Sequence, residues 1–489
     1  MTLVISNPSA TDEAEVYIWD KASYNASSLT KLNPYLKVTV PPLGVVYKTI
    51  VGTTAGNNDT NGQKANTTIY DYMMFKSMLA PRGFNVRSSL PIVVYQFNPY
   101  GKSNGYTADA SLLVPVNTLG ETYITTSYYS SSSENNAATI NILPVEPGET
   151  TVEVKPTLSI RAGTDGTSKK TGNQVFTTIN ANTTKSFKLN PYDVLSLQSS
   201  STGELTGSTI KANKKIVVFG GSACLTLRSA CDHVEEQLFP TQAWGKQYDV
   251  VRASNIGTEL DDYYIVAQQD NTKVTITGNY GASGNTTITL SASTGGTTNG
   301  TLTTISTTNK FTGSVTLNAS QFTKIYTAKN FSVTADKPIF VTQFIDNVSG
   351  IGDPAQITLV PREQYRSDYS FSIPENYQYD YVTLVAPKNA KIYYTGSGYF
   401  TDSNHSNPQI SCNGILVNNL PSYAFSGWKT FDDKYDYAYL MLDKGTHRLI
   451  GDVSFGATGY GFGDARSSVD DTSYGYPIGL DLKRINNTN

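Results

Sequence analysis

Three cysteines and three histidines are all the thiol and imidazole chemistry that these 489 residues offer. Cys224 and Cys231 lie in the run Gly221-Ser222-Ala223-Cys224-Leu225-Thr226-Leu227-Arg228-Ser229-Ala230-Cys231-Asp232-His233, with six residues between them. A loop of that length can return to disulfide distance, and a disulfide is the first reading. A pair of reduced thiols stays open beside it, as does a metal site built on Cys224, Cys231 and His233. The metal site lacks the usual short spacing between its cysteines and a clear fourth ligand. If the disulfide forms, the compartment is oxidising. Cys412 is left over and reads as a small buried side chain.

Carboxylates offer two further chemistries. Asp109, Asp232, Asp353 and Asp471 stand six to eight residues before Pro115, Pro240, Pro361 and Pro477, and Asp346, Asn347 and Asp353 with Gly350 and Gly352 make the densest cluster. An acid recurring in one loop suits calcium. Yet Asp also closes turns onto its own backbone, and no loop has EF-hand spacing. Turn chemistry without a cofactor is therefore the expectation, with calcium at Asp346, Asn347 and Asp353 as the weaker alternative. The adjacent pairs Asp261-Asp262, Asp432-Asp433 and Asp470-Asp471 invite comparison with glycosidase carboxylates. Neighbours in a strand point to opposite faces, so these pairs read as solvated turns instead. His233, His405 and His447 lie in separate segments, and neither a Gly-x-Ser-x-Gly elbow nor an HExxH motif is present. Gly459-Tyr460-Gly461-Phe462-Gly463 has no helix after it, so its glycines point to close strand packing. No catalytic constellation emerges.

Composition narrows the field further. Charged residues are 16% of the chain and the net charge is -3, against about 25% charged residues in an ordinary soluble domain. Without basic runs there is no electrostatic footprint for nucleic acid. No apolar stretch approaches the ~20 residues that span a bilayer as a helix. Met1 leads straight into Thr2-Leu3-Val4-Ile5 with no basic or apolar leader. The chain thus reads either as cytoplasmic or as beginning at a mature or engineered terminus. Eleven Asn-x-Ser/Thr acceptors, Asn25, Asn66, Asn182, Asn285 and Asn404 among them, mark surface loops only where a glycosylation system is met.

The elements that must carry these residues are strands. Alternation of apolar and polar residues is pervasive, as in Lys273-Val274-Thr275-Ile276-Thr277. Tyr70–Leu79 is the best helical candidate. Three patterns recur four times in one order. The first is read as a hairpin: 3–18, 139–154, 264–276 and 382–394. The second is a strand, a polar kink and a buried strand, anchored at Ile92, Ile216, Ile339 and Phe455. The third is a loop closed by Pro115, Pro240, Pro361 or Pro477, followed eight residues later in the first three copies by Tyr123, Tyr248 and Tyr369. The period, about 115–125 residues, is larger than a propeller blade. It predicts an all-β chain of four tandem β-sandwich-like repeats, 1–130, 131–258, 259–376 and 377–489, closely packed or sharing strands. A ring or propeller-like arrangement is the alternative. Tyrosines at two-residue spacing, 377, 379 and 381 and again 435, 437 and 439, share sheet faces. They pack across strands or present an aromatic surface to a glycan or protein.

The string from Cys224 to Tyr248 resembles the N-terminal domain of the IgG-Fc-binding protein family, through Cys224, Cys231, Asp232, His233, Glu236, Gln237, Pro240, Trp244 and Gly245. Leu3–Pro8, Asp109-Ala110-Ser111 to Pro115, Asp270–Ile276 and Ser473–Pro477 look like further signatures of it, so the resemblance spans nearly the whole chain. It implies an extracellular, non-catalytic module with Cys224 and Cys231 paired. The scarcity of cysteines departs from the animal pattern and fits a bacterial member. No antibody-binding residues carry over.

The resulting expectation is an extracellular or cell-surface adhesion module or fibre subunit. It would act through Tyr/Thr/Asn-rich loops and sheet edges on glycans, glycoproteins or copies of itself. A carbohydrate-active enzyme on a β scaffold is the alternative.

Overall fold

A computed structural model describes residues 1–21, 34–50, 76–98, 109–130, 136–166, 172–227, 230–253, 261–279, 289–292, 310–346, 352–375, 377–399, 409–463 and 473–486. The fold is all-β, as the alternation predicts. Strands are joined by loops and short 3-10 turns, with no α-helix among the described residues. The chain divides into two compact units. One is Met1–Thr226 with Cys231–Pro240, and the other is Leu227–Ala230 with Thr241–Asn489. The helical candidate is corrected in part: Met78–Ala80 is a strand paired with Val194–Gln198, and residues 70–75 lie outside the described residues.

The four expected hairpins are not hairpins. Thr2–Ser6 pairs with Val45–Thr49 and Val93–Asn98, whereas Ala14–Trp19 pairs with Leu36–Val40 and Asn85–Ser88 in another sheet. Leu3, Ile5, Ala14, Val16 and Ile18 then meet in one core. The chain arches over that core because both strands have apolar inner faces to bury, and burying them against each other requires opposite sheets. In the other three copies the two strands likewise do not pair with each other but flank one long strand. Ala138–Pro144 and Thr150–Lys155 pair with different halves of the long strand Thr209–Leu227. Asp261–Ala267 and Thr272–Asn279 do so with Phe331–Ile345, and Tyr379–Pro387 and Ile392–Tyr399 with Gly445–Phe462.

The polar kink is where each long strand exchanges one arch strand for the other as its partner; in the first copy the two halves lie in different sheets. In the first copy the passage breaks the strand into Asn85–Ser88 and Val93–Asn98, around Pro91. One contact recurs at all four kinks. The backbone N–H that opens the second arch strand donates to a kink side chain: Glu15 to Ser89 Oγ (2.9 Å), Thr151 to Asn213 Oδ1 (2.9 Å), Lys273 to Asp336 Oδ1 (2.8 Å) and Lys391 to Asp452 Oδ1 (2.9 Å). Each acceptor stands three residues before its anchor. It satisfies a backbone donor beside the kink. Asn271 and Asn389 turn two of the arches with φ of 55° and 65°, a conformation Asn tolerates better than most residues.

The proline-closed loops have an equally regular role. After Pro115, Pro240 and Pro361 come the 3-10 turns Val116–Thr118, Thr241–Ala243 and Arg362–Gln364. The strands Gly120–Ile124, Gly245–Val250 and Arg366–Ile373 follow. Each of these strands pairs with the first half of the next long strand. Each buries its tyrosine, whose hydroxyl donates to the anchor carbonyl: Tyr123 to Ile216 (2.8 Å), Tyr248 to Ile339 (2.7 Å) and Tyr369 to Phe455 (2.5 Å). Burial raises all three phenol pKa values. The phenols therefore stay protonated donors.

A candidate binding cavity beside the first kink

The first kink has the acceptor half of this arrangement, and among the described residues no incoming strand covers it. Asn85–Ser88 is the edge of the three-stranded sheet, and among the described residues it pairs on one side only, with Ala14–Trp19. A cavity of about 630 Å³ lies against it. Its apolar lining includes Val86, Leu90 and Ile92 from the kink, Leu3 and Val94 from the adjoining sheet, and Leu143 and Phe219 from the ten-stranded sheet.

A polar wall of the cavity comes from the strand Ala230–Gln237. Gly221 makes room for it, since a Cβ there would sit 2.0 Å from the Val234 carbonyl oxygen. Alternation turns His233, Glu235 and Gln237 toward the cavity, where all three are lining residues. Gln96 Nε2 donates to Glu235 Oε1 at 2.7 Å, and His233 Nε2 lies 3.6 Å from Glu235 Oε2, an ion pair when the imidazole is protonated. His233 Nδ1 is 2.9 Å from the Ser222 carbonyl oxygen, and its Nε2 is 3.5 Å from Asn98 Nδ2. On the strand's other face Glu236 accepts from Ser111 Oγ at 2.7 Å. The strand's own N–H groups are capped by side chains: Glu235 N–H donates to Asp109 Oδ2 (3.1 Å) and Gln237 N–H to Ser111 Oγ (2.7 Å), while Gln237 Oε1 accepts from Val114 N–H (3.1 Å). Asp109, Ser111, His233, Glu236 and Gln237, singled out in sequence, thus form one buried network. Glu235, Gln96 and Asn98 complete it and carried no sequence signal beyond their place in alternating strands.

The other sequence candidates fall elsewhere. Cys224 is partly buried on Thr209–Leu227, and the Cys231 side chain lies outside the described residues. Cys412 is a buried free thiol whose pKa burial raises. Asp346 and Asp353 are both buried, and Asp353 N–H donates to Ser473 Oγ at 2.8 Å. Asn347, Gly350 and Asp471 lie outside the described residues. No group of three or more His, Cys, Asp or Glu side chains among the described residues is arranged to hold a metal ion.

The solvated-turn reading of the paired acids is corrected at Asp261-Asp262. Both are buried on the strand Asp261–Ala267. Asp261 accepts from Gln343 (2.9 Å) and Tyr263 (3.2 Å), and burial pushes its pKa up to about 6. Asp432 does close a turn, accepting from the N–H groups of Lys434 and Tyr435 at 2.7 Å each. The 435, 437 and 439 tyrosines pack with Phe431, Val251 and Val385 instead of forming a bare aromatic surface. Gly461 allows close packing, since a Cβ there would sit 2.4 Å from the Tyr474 ring.

The sequence profile of the family described as IgGFc binding protein matches residues 109–299 and 294–461. This chain belongs to that family. The human IgGFc-binding protein is 32% identical to it over 180 residues, which are 36% of this chain and 3% of the human protein. The chain thus corresponds to a small fraction of that relative's length. No solved structure matches it. No helix among the described residues is long and apolar enough to cross a membrane.

Proposed function

We propose that this chain is an extracellular, non-enzymatic binding module of four tandem β-repeats and that the cavity beside the first kink takes its partner. The carrying observation is the cavity itself, walled by the buried His233–Glu235–Gln237 face of the Asp-His-containing signature strand. The fourfold kink contact supports the repeat organisation. The family's description and the human relative's name make a protein partner, an antibody Fc region included, the first to test. Glycoproteins, glycans and further copies of the chain follow, as in a cell-surface adhesin or fibre.

The test is binding of the immobilised chain to Fc, to a mucin-type glycoprotein and to itself, for the wild type and for His233→Ala and Glu235→Gln. Binding to one of these that falls about tenfold in the variants supports the reading. Turnover of a polysaccharide without saturable binding to any of the three would overturn it in favour of the enzyme alternative. We also assign a Cys224–Cys231 disulfide on the basis of the family pattern. One titratable thiol in denaturant without reductant is expected, and three would remove the assignment.

A further inference from the structure

We propose that the edge Asn85–Ser88 and its cavity accept an extended β-strand from another polypeptide segment, with a tyrosine seated opposite Val86. This deepens the binding reading above and rests on it, naming the occupant of the same cavity.

The chain supplies its own pattern for that occupant. In three places the first half of a kinked strand is covered by an incoming strand in one register. Tyr123, Tyr248 and Tyr369 stand opposite Ile210, Val333 and Leu449, while Gly120, Gly245 and Arg366 stand opposite the anchors Ile216, Ile339 and Phe455. All six acceptor residues are 0% exposed. Counting six back from the anchor Ile92 gives Val86 as the matching residue in the first copy. Val86 and Ile92 are both only half-buried, and both line the cavity.

The acceptor is complete in every other respect. Ser89 makes the kink contact that Asn213, Asp336 and Asp452 make elsewhere. The inner half of the same passage, Val93–Asn98, is paired on both sides like its counterparts. An incoming strand would supply backbone partners to the side of Asn85–Ser88 that no described strand covers and a phenol to the Ile92 carbonyl, while its apolar side chains cover Val86 and Ile92. Backbone pairing would give affinity and the tyrosine pocket specificity, as in other strand-addition complexes. The expected occupant is a segment of the pattern seen in Gly120-Glu121-Thr122-Tyr123-Ile124 and Gly245-Lys246-Gln247-Tyr248-Asp249-Val250.

The probe is a synthetic peptide with the sequence of residues 116–126, titrated against the full chain. We expect saturable binding, a thermal midpoint that rises with peptide concentration, and new amide-exchange protection at 85–88. Replacing the peptide's tyrosine, Tyr123→Ala, should weaken binding by about tenfold or more. A second chain carries the same residues ahead of Met1, joined by a linker as long as the stretch from Ile124 to Ala138. It should melt higher than the parent and no longer bind free peptide. Failure of the peptide to bind the parent chain, or equal binding to parent and extended chains, overturns the inference. Retained Fc or glycoprotein binding that His233→Ala and Glu235→Gln abolish would show that the binding reading survives without it.

Discussion

The kinks at Ile92 and at Ile339 are built from the same parts and differ in one. Both carry a side chain three residues before the anchor that takes the opening N–H of the second arch strand, and at both the two arch strands pair on opposite sides of the kink. At Ile339 the strand Gly245–Val250 lies over the first half, Tyr248 reaches the anchor carbonyl, and Val333 and Ile339 are fully buried. At Ile92 no described strand lies there, Val86 and Ile92 are half-buried, and a cavity of about 630 Å³ opens beside them. The difference teaches that the incoming strand completes the core without shaping the kink. A repeat can therefore hold its arch while leaving a strand-sized place for something else.

The strongest way to break this comparison is to remove a clasp tyrosine. Tyr248→Ala leaves a cavity among Val250, Ile265, Val333 and Ile339 and should cost about 3–5 kcal/mol in chemical denaturation, as for other buried aromatics. A loss below about 1 kcal/mol would mean the incoming strand contributes little. The paired truncations Ile216→Ala and Ile92→Ala sharpen it next. The first should cost about 2–5 kcal/mol and the second about 1 kcal/mol, since a half-buried side chain has less transfer and packing energy to lose. Equal costs would mean the first kink is as well covered as the second. Smaller again is Asp336→Ala, expected to cost about 1 kcal/mol for the unpaired Lys273 N–H, with a similar cost at Ser89→Ala if the two kinks are alike.

The last prediction concerns pH and belongs to the second unit alone. Asp380 is buried and accepts from Tyr474 at 2.5 Å, and burial pushes its pKa up to about 8. The folded chain then keeps a proton that the unfolded chain releases near pH 4. This contribution to stability is present at acid pH and is lost as pH rises toward 8. Thermal midpoints of the second unit should fall across that window, and Asp380→Asn should flatten the fall.

Much of this was legible in the residues. Alternation located the strands, the anchors 92, 216, 339 and 455 marked the kinks, and the tyrosines eight residues past Pro115, Pro240 and Pro361 proved to hold the anchor carbonyls. Strand partners were not legible. Thr2–Ser6 and Ala14–Trp19 read as a hairpin because alternation records which face is apolar and not which sheet that face closes. For the same reason Val86 resembles Ile210 in type, and nothing in its identity shows that no described strand lies opposite it. Asp261 was misread because an acid in a strand looks like turn chemistry until Gln343 and Tyr263 are seen to hold it. Within the site, Asp109 and His233 stood out by residue type and place and Ser111 and Glu236 through the family resemblance, whereas Glu235, Gln96 and Asn98 became visible only when strands distant in sequence were brought side by side.

Amide hydrogen exchange of the free chain tests the central claim most directly. The account predicts fast exchange at the outward-facing amides of 85–88 and slow exchange at the matching amides of 209–211, 332–334 and 448–450, which incoming strands cover. Protection at 85–88 equal to that of the other three segments would contradict it.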